Sequence, residues 1–241
     1  MSAGQCGQSL GAVVSEHLWN ILTDSFFKIL IPGLITTIPL TAISFFLALV
    51  IGIATALVQF AQIKVLRHLA RFYIWVIRGT PILVQLYVVF YGLPNLGIMI
   101  EPFPAAVAVF SINEGAYTAE TMRSAFESVP VGQLEAGYCV GMNYMQTFWR
   151  ILLPQAFRTA FPPLSNSLIA MVKETSLAAN ITVTEMFMAT QRIVARTYEP
   201  LALYIEVALI YLAFSTVLTW VQRVAEKKIN FLAEKKSGAE E

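Results

Sequence analysis

Three groups of polar residues interrupt an otherwise apolar sequence, and each has the chemistry to recognise a charged small molecule. Arg78 opens the first, followed by Gly79-Thr80-Pro81 and then Gln85. A guanidinium grips both oxygens of a carboxylate, Pro81 removes a backbone donor, and Gly79 permits close backbone approach. The second group is Asn113, Glu114, Tyr117, Thr118 and Glu120. On a helix, residues 113, 117 and 120 share one face, whereas Glu114 lies about 100° round from Asn113. Carboxylates there can receive an ammonium group. The third is Lys173-Glu174-Thr175-Ser176, two opposite charges followed by two hydroxyls. Adjacent Lys and Glu point in different directions, so each needs its own partner. The hydroxyls can bond a ligand or a neighbouring helix. A structural reading stands beside the functional one: Arg78 and Lys173 can pair with Glu114 or Glu120 between helices, or Arg78 can reach the headgroups.

The composition says what kind of molecule must hold these charges. Of 241 residues, 57% are apolar and 13% charged, with a mean hydropathy of +0.66. A soluble domain carries about 25% charged residues, and one this apolar would aggregate. The chain therefore reads as an integral membrane protein. A net charge of +1 argues against nucleic acid as a partner. Cys6 and Cys139 form no metal or disulfide framework, and HExxH and GxxxxGK[ST] are both absent. His17 and His68 fall near water-facing ends. The chain is expected to carry no cofactor, no metal and no catalytic centre.

The charged groups must then sit on membrane helices. Residues 1–15 lack the basic stretch of a signal peptide. Residues 16–30 place Leu18, Ile21, Leu22, Ser25, Phe26, Ile29 and Leu30 at helical spacing, flanked by Trp19 and Lys28. That pattern predicts an interfacial helix lying on the bilayer. Between Lys28 and Lys64 lie 35 uncharged residues, more than the roughly 20 of one crossing. Pro32, Gly33 and Pro39 are expected to break the early part, leaving 30–38 as a lead-in and 39–60 as the first span. Further spans are expected at 72–92, 104–125, 160–183 and 200–222, making five in all. Glu206 in the last span reads as peripheral, near the outer interface. Lys64, Arg67, Arg71, Arg123, Arg150, Arg158, Arg223, Lys227, Lys228, Lys235 and Lys236 fall on one side, against Lys28, Arg192 and Arg196 on the other. That bias places the N-terminus outside and the C-terminus in the cytoplasm.

The cytoplasmic loop 126–159 reads FESVPVGQLEAGYCVGMNYMQTFWRILLPQAFRT. Ser128 can N-cap a short helix with Pro130 in its first turn, and Gly141 can end it in a left-handed conformation. Asn143 and Gln146 have capping-box spacing for a second helix, and Pro154 is expected to kink the chain as it re-enters the membrane. Two capped helices in a short loop make a rigid knob.

EAGYCVG followed by ILLP resembles the EAA loop of bacterial ATP-binding-cassette importer permeases, through Glu135, Ala136, Gly137, Gly141, Leu153 and Pro154. RGTPILVQLYVVFYGLP (78–94) and LPQAFRTAFPPLSNSLIAMVKETSLAANITVTEMF (153–187) are similar to signatures of the polar amino-acid branch. Lys173-Glu174-Thr175-Ser176 resembles that branch's KDTSL, with Glu for the usual Asp. GLPNLGIMIEPFPAA, GAYTAETMRSA and ARTYEP look like the L-cystine subgroup. The resemblance implies an all-α membrane fold of type I importer (MetI-like) class. It implies a transmembrane domain over 31–225 with its coupling loop at 127–159, and a cytoplasmic tail over 226–241. It also implies a cassette ATPase that binds ATP and magnesium and docks on the coupling helix, an extracytoplasmic solute-binding protein, and a second permease copy. On this reading the chain is a transporter subunit in the bacterial cytoplasmic membrane. Arg78, Thr80, Gln85, Asn113, Glu114, Tyr117, Glu120, Lys173, Glu174, Thr175 and Ser176 are its candidate substrate contacts. L-cystine is the expected substrate, with arginine, histidine or glutamine, or else an ion-channel role, as the alternatives. Gly137 stands where the family often has alanine, which should loosen its helix by under about 1 kcal/mol.

Overall fold

The computed structural model describes the backbone of residues 3–60 and 64–237, and the side chains of 16–60 and 64–229. Among the described residues all regular structure is helical. In chain order the α-helices are α1 (Ala3–Pro32), α2 (Ile38–Phe60), α3 (Lys64–Arg78), α4 (Ile82–Tyr87), α5 (Pro102–Glu127), α6 (Val131–Cys139), α7 (Tyr144–Thr147), α8 (Leu153–Glu174), α9 (Met186–Thr197) and α10 (Pro200–Ser237).

Pro32, Gly33 and Pro39 do not break the first hydrophobic stretch, contrary to the sequence expectation. A π-helical turn, Gly33–Thr37, joins α1 to α2, and Glu16–Phe60 runs on as one apolar helix of 45 residues. At 1.5 Å per residue it is about 68 Å long, over twice the thickness of a hydrocarbon core. The proline register explains the continuity. A proline ring clashes with the carbonyl four residues back, and here Ile38 N–H instead reaches five back to the Gly33 carbonyl, immediately before Pro39. The device recurs twice. Leu93 N–H reaches the Val88 carbonyl before Pro94, and Leu153 N–H reaches the Phe148 carbonyl before Pro154. Pro154 therefore widens the helix entering α8 rather than breaking it.

Residues 16–30 are likewise not a separate surface helix. Ile29 is fully buried against Met186, Val207 and Ile210. The Ser25 hydroxyl donates to the Glu206 carboxylate at 2.6 Å, so Glu206 is a buried tie between α1 and α10, not a peripheral charge.

The second span, expected at 72–92, is two helical segments meeting at 100°: Lys64–Arg78 and Ile82–Leu96. The bend is local chemistry. A residue before proline is pushed out of the helical region, and Pro81 is extended at φ −63°, ψ 136°. A Cβ on Gly79 would lie 2.7 Å from the Trp75 carbonyl oxygen. The third span appears as α5, begun by a proline in its first turn. The fourth is α8 prolonged by a 3₁₀ stretch, Thr175–Ile181, and α10 carries the fifth well past residue 222. Between these two lies α9, which the sequence reading treated as a connection.

Among the described residues, Glu16–Phe60 and Pro200–Ile229 are apolar and long enough to cross a membrane, and the bent pair passes the same test only when its two segments are taken together, as a broken span or a re-entrant loop. α5 and α8 have the length but not the apolarity, because their neighbours are protein. α2 presents a stripe of small buried residues, Ser44, Ala48, Gly52 and Ala56, to α5. Small residues at four-residue spacing let helix backbones approach closely. A Cβ on Gly52 would lie 2.4 Å from Thr118 Cγ2, and one on Gly115 would lie 2.9 Å from Ile51 Cγ2 and 3.0 Å from the Tyr73 hydroxyl.

Candidate functional site

The α3–α4 bend delivers Arg78 to the exposed face of α5. Its guanidinium lies 3.5 Å from the Glu120 carboxylate and 5.1 Å above the Tyr117 ring centre. Cation–π contact and ion pairing together fix its direction. Glu120 also pairs with Arg123 at 3.1 Å, and Arg123 reaches both oxygens of Glu127 at 2.7 Å. About two turns back from Glu120 toward the start of α5, Asn113 donates to the Gln85 side-chain oxygen at 3.1 Å. The Gln85 amide in turn donates to the Ile77 carbonyl at 2.9 Å and the Thr80 hydroxyl at 2.8 Å, bracing the bend. Positions 113, 117 and 120 thus share the face that meets α3 and α4. Arg78, Thr80, Gln85, Asn113, Tyr117 and Glu120 form one assembly.

Glu114 turns away from it. It is buried and faces Ser167 and Glu174 of α8, and its Oε1 has no hydrogen-bond partner. Lys173 and Ser176 open instead onto a groove of about 660 Å³ with Phe187, Tyr204, Tyr211 and Ser215. Adjacent Lys173 and Glu174 do take different neighbours. Thr175 is fully buried, its hydroxyl donating to the Val172 carbonyl at 2.6 Å and facing the Tyr211 phenol. The candidate residues therefore form three groups: a partly exposed polar cluster at the bend, a carboxylate pair between α5 and α8, and a lysine in a separate groove. Among the described residues, no group of three His, Cys, Asp or Glu side chains could hold a metal.

The loop between α5 and α8 is the knob expected. Gly141 is left-handed at φ +82°. Asn143 and Gln146 make the reciprocal capping box at 3.0 and 2.9 Å. Ser128 is not the N-cap of α6: Pro130 occupies that position, and the Ser128 hydroxyl donates back to the Ala125 carbonyl at 2.8 Å. Gly137 is buried, and a Cβ there would lie 2.8 Å from Ile151 Cδ1 and 3.3 Å from Thr147 Oγ1. It is the point where α6 rests on the following segment. Glu135, Ala136, Tyr138 and Trp149 are exposed, as is Pro154, while Leu153 is half-buried.

The sequence reading passed over Glu185. Its carboxylate is fully buried and accepts from Phe187 N–H at 2.9 Å, Met188 N–H at 2.7 Å and the Tyr211 hydroxyl at 2.7 Å. It caps α9 and ties it to α10. The available signal was the helical spacing of Met186, Ala189, Thr190 and Ile193 after it.

A multi-span helical protein with a charged cluster at a helix break, and a rigid knob between two of its helices, is built as a subunit of a transport machine. The family is the binding-protein-dependent transport system inner membrane component: its model matches residues 48–231, and this chain belongs to it. The L-cystine transport system permease protein TcyB of Bacillus subtilis is 44% identical over 213 residues, covering 88% of this chain and 91% of the relative. A second B. subtilis relative, the L-cystine permease TcyL, is 39% identical over 87% of this chain and 90% of its own length. The nopaline permease NocM of Agrobacterium fabrum is 33% identical over 88% of this chain and 91% of its own. A crystal structure of an amino acid ABC transporter with histidines superposes with a TM-score of 0.80 at 32% identity, covering 86% of this chain and 96% of that one. The inward-facing MetNI methionine transporter, at 18% identity and a TM-score of 0.70, shares the fold. The chain is thus the permease of an ABC amino-acid importer with the type I fold, a transporter component rather than an enzyme, and ATP hydrolysis belongs to a partner ATPase.

Proposed function

We propose that this permease carries L-cystine into the cell, as a homodimer with its N-terminus outside and its C-terminus in the cytoplasm. A cassette ATPase docks on the α6–α7 knob, and an extracytoplasmic binding protein delivers the substrate. ATP-driven closure pushes the two knobs together and rocks the spans from inward-facing to outward-facing. The observation that carries the substrate assignment is the half-open pair of Arg78 and Glu120, with side chains 40% and 26% exposed. Cystine presents two carboxylates and two ammonium groups, so its site needs both signs of charge. Arg78 grips a carboxylate against the Tyr117 face, and Glu120 takes an ammonium. Asn113, Thr80 and Gln85 orient the backbone of the substrate. Glu114, Glu174, Lys173 and Ser176 complete the path on the α8 side, whereas Thr175, buried with its hydroxyl on the Val172 carbonyl, supports the helix rather than touching substrate. Two relatives named for L-cystine support this reading. A relative named for nopaline favours a second reading, another polar amino acid such as arginine.

Uptake in liposomes containing the ATPase and binding protein tests the proposal. Losing a desolvated charged contact should cost about 2–5 kcal/mol, roughly thirtyfold or more in affinity. Arg78→Ala and Glu120→Ala are each expected to weaken uptake of labelled cystine to that degree. Unlabelled arginine competing far better than unlabelled cystine would reject the substrate while leaving the importer intact. The mass of the purified complex should show two identical permeases, and a different permease beside this one would reject the homodimer.

A further inference from the structure

We propose that α3, together with the pocket behind it, is a binding site for one anionic phospholipid. A cavity of about 480 Å³ lies between α2, α3 and α5, lined by Gln59, Arg67, Arg71, Glu120, Arg123 and Glu127. Its charge is unbalanced. Both oxygens of Glu127 are taken by Arg123, and Glu120 is shared between Arg123 and Arg78. Arg67 and Arg71 form no ion pair among the described residues. Gln59 is 8% exposed, and its amide nitrogen has no hydrogen-bond acceptor. The pocket therefore presents two uncompensated guanidinium groups and one unsatisfied buried donor. An unpaired buried donor is costly, and a phosphate held by Arg67 and Arg71 would offer the Gln59 amide an acceptor once that side chain turns toward the cavity.

The outer face of the same helix identifies the anion as a lipid rather than a soluble ion. Val65, Leu69, Phe72 and Trp75 lie on one arc of α3 and are 70%, 60%, 63% and 72% exposed. Arg71 is one turn from Trp75, so the basic arc borders the apolar one. A headgroup seated against Arg67 and Arg71 would lead its acyl chains over Trp75 and Phe72. Basic pockets between membrane helices beside an amphipathic surface suit anionic headgroups. In the proposed orientation this surface faces the cytoplasmic leaflet. The cavity shares Glu120 with the Arg78 cluster, so a headgroup drawing on Arg123 frees Glu120 toward Arg78. The lipid site does not depend on which amino acid is carried.

The test is native mass spectrometry of the full-length protein with phosphatidylglycerol and phosphatidylcholine of matched chains. Wild type should retain one phosphatidylglycerol in preference to phosphatidylcholine. Arg67→Gln with Arg71→Gln should lower that retention about twenty-fivefold, about fivefold for each arginine. Arg67→Lys with Arg71→Lys should keep most of it, and Arg192→Gln with Arg196→Gln should leave it unchanged. If the glutamine pair fails to fold, Gln59→Leu decides, with a loss of a few-fold expected. Equal retention of the two lipids, equal loss in the Arg192 and Arg196 pair, or unchanged retention in both the glutamine pair and Gln59→Leu would overturn the site. Displacement of the lipid by an equal concentration of glycerol phosphate would also overturn it, showing a soluble-anion site instead.

Discussion

Glu185 shows how much a single buried carboxylate can organise. It closes two backbone donors at the start of α9 and holds the Tyr211 hydroxyl of α10. Glu185→Ala would strand all three donors, and the lost cap alone is worth about 1 kcal/mol. A total loss of about 2–4 kcal/mol is expected, read as a lower melting temperature of the detergent-purified protein. Glu185→Gln keeps an acceptor oxygen and should fall between alanine and wild type. An unchanged melting temperature for the alanine variant would refute the role. The contrast with Arg78 explains what the sequence could disclose. Asn113, Tyr117 and Glu120 share a face through helical periodicity, and only Arg78 and Lys173 offered themselves as cations inside the spans. Glu185 is an unusual N-cap, its third partner lies 26 residues away, and no local pattern links the two.

At the scale of elements, the knob was legible because caps are short-range chemistry: Asn143, Gln146 and Gly141 state their conformations within a few residues of themselves. Gly137 was legible only in part, for the opposite reason. Its cost to the helix is local, but its use is the contact with Ile151 and Thr147 across the knob. Gly137→Ala should be tolerated, since the end of Ile151 can swing aside and alanine favours the helix. Gly137→Val adds branches that Thr147 cannot clear, and should part α6 from its support and abolish ATPase association. Glu135→Arg reverses an exposed charge, so it should leave the fold intact yet uncouple transport from ATP hydrolysis. Wild-type transport by Glu135→Arg, or ATPase binding by Gly137→Val, would remove the coupling assignment. The prolines taught a similar lesson. Pro39 and Pro154 read as interruptions, yet each, like Pro94, follows a π-helical turn that carries the helix through. Pro81 has no such turn before it, and there the chain bends by 100°.

For the whole molecule, hydropathy found the spans that face lipid and underrated those that face protein. α5 carries Glu114, Glu120, Arg123 and Glu127 and is held chiefly by α2. Gly52 sets the distance between them, with Thr118 Cγ2 at 2.4 Å and the Ala119 nitrogen at 3.0 Å from any added Cβ. Gly52→Leu should therefore lose about 1–3 kcal/mol or more to overpacking, seen as a lowered melting temperature. A variant as stable as wild type would show that the two helices are free to separate. The same interface governs how the chain is made. Each charge at bilayer depth costs at least about 2.5–3.5 kcal/mol during insertion, so α5 leaving the ribosome is a poor candidate to enter lipid alone. The ribosome delivers the Ser44–Ala48–Gly52–Ala56 stripe first, and α5 emerges to find its partner already in the bilayer. A fault in that stripe strikes the nascent chain before any transporter exists, and cellular quality control meets the error earlier than any substrate does.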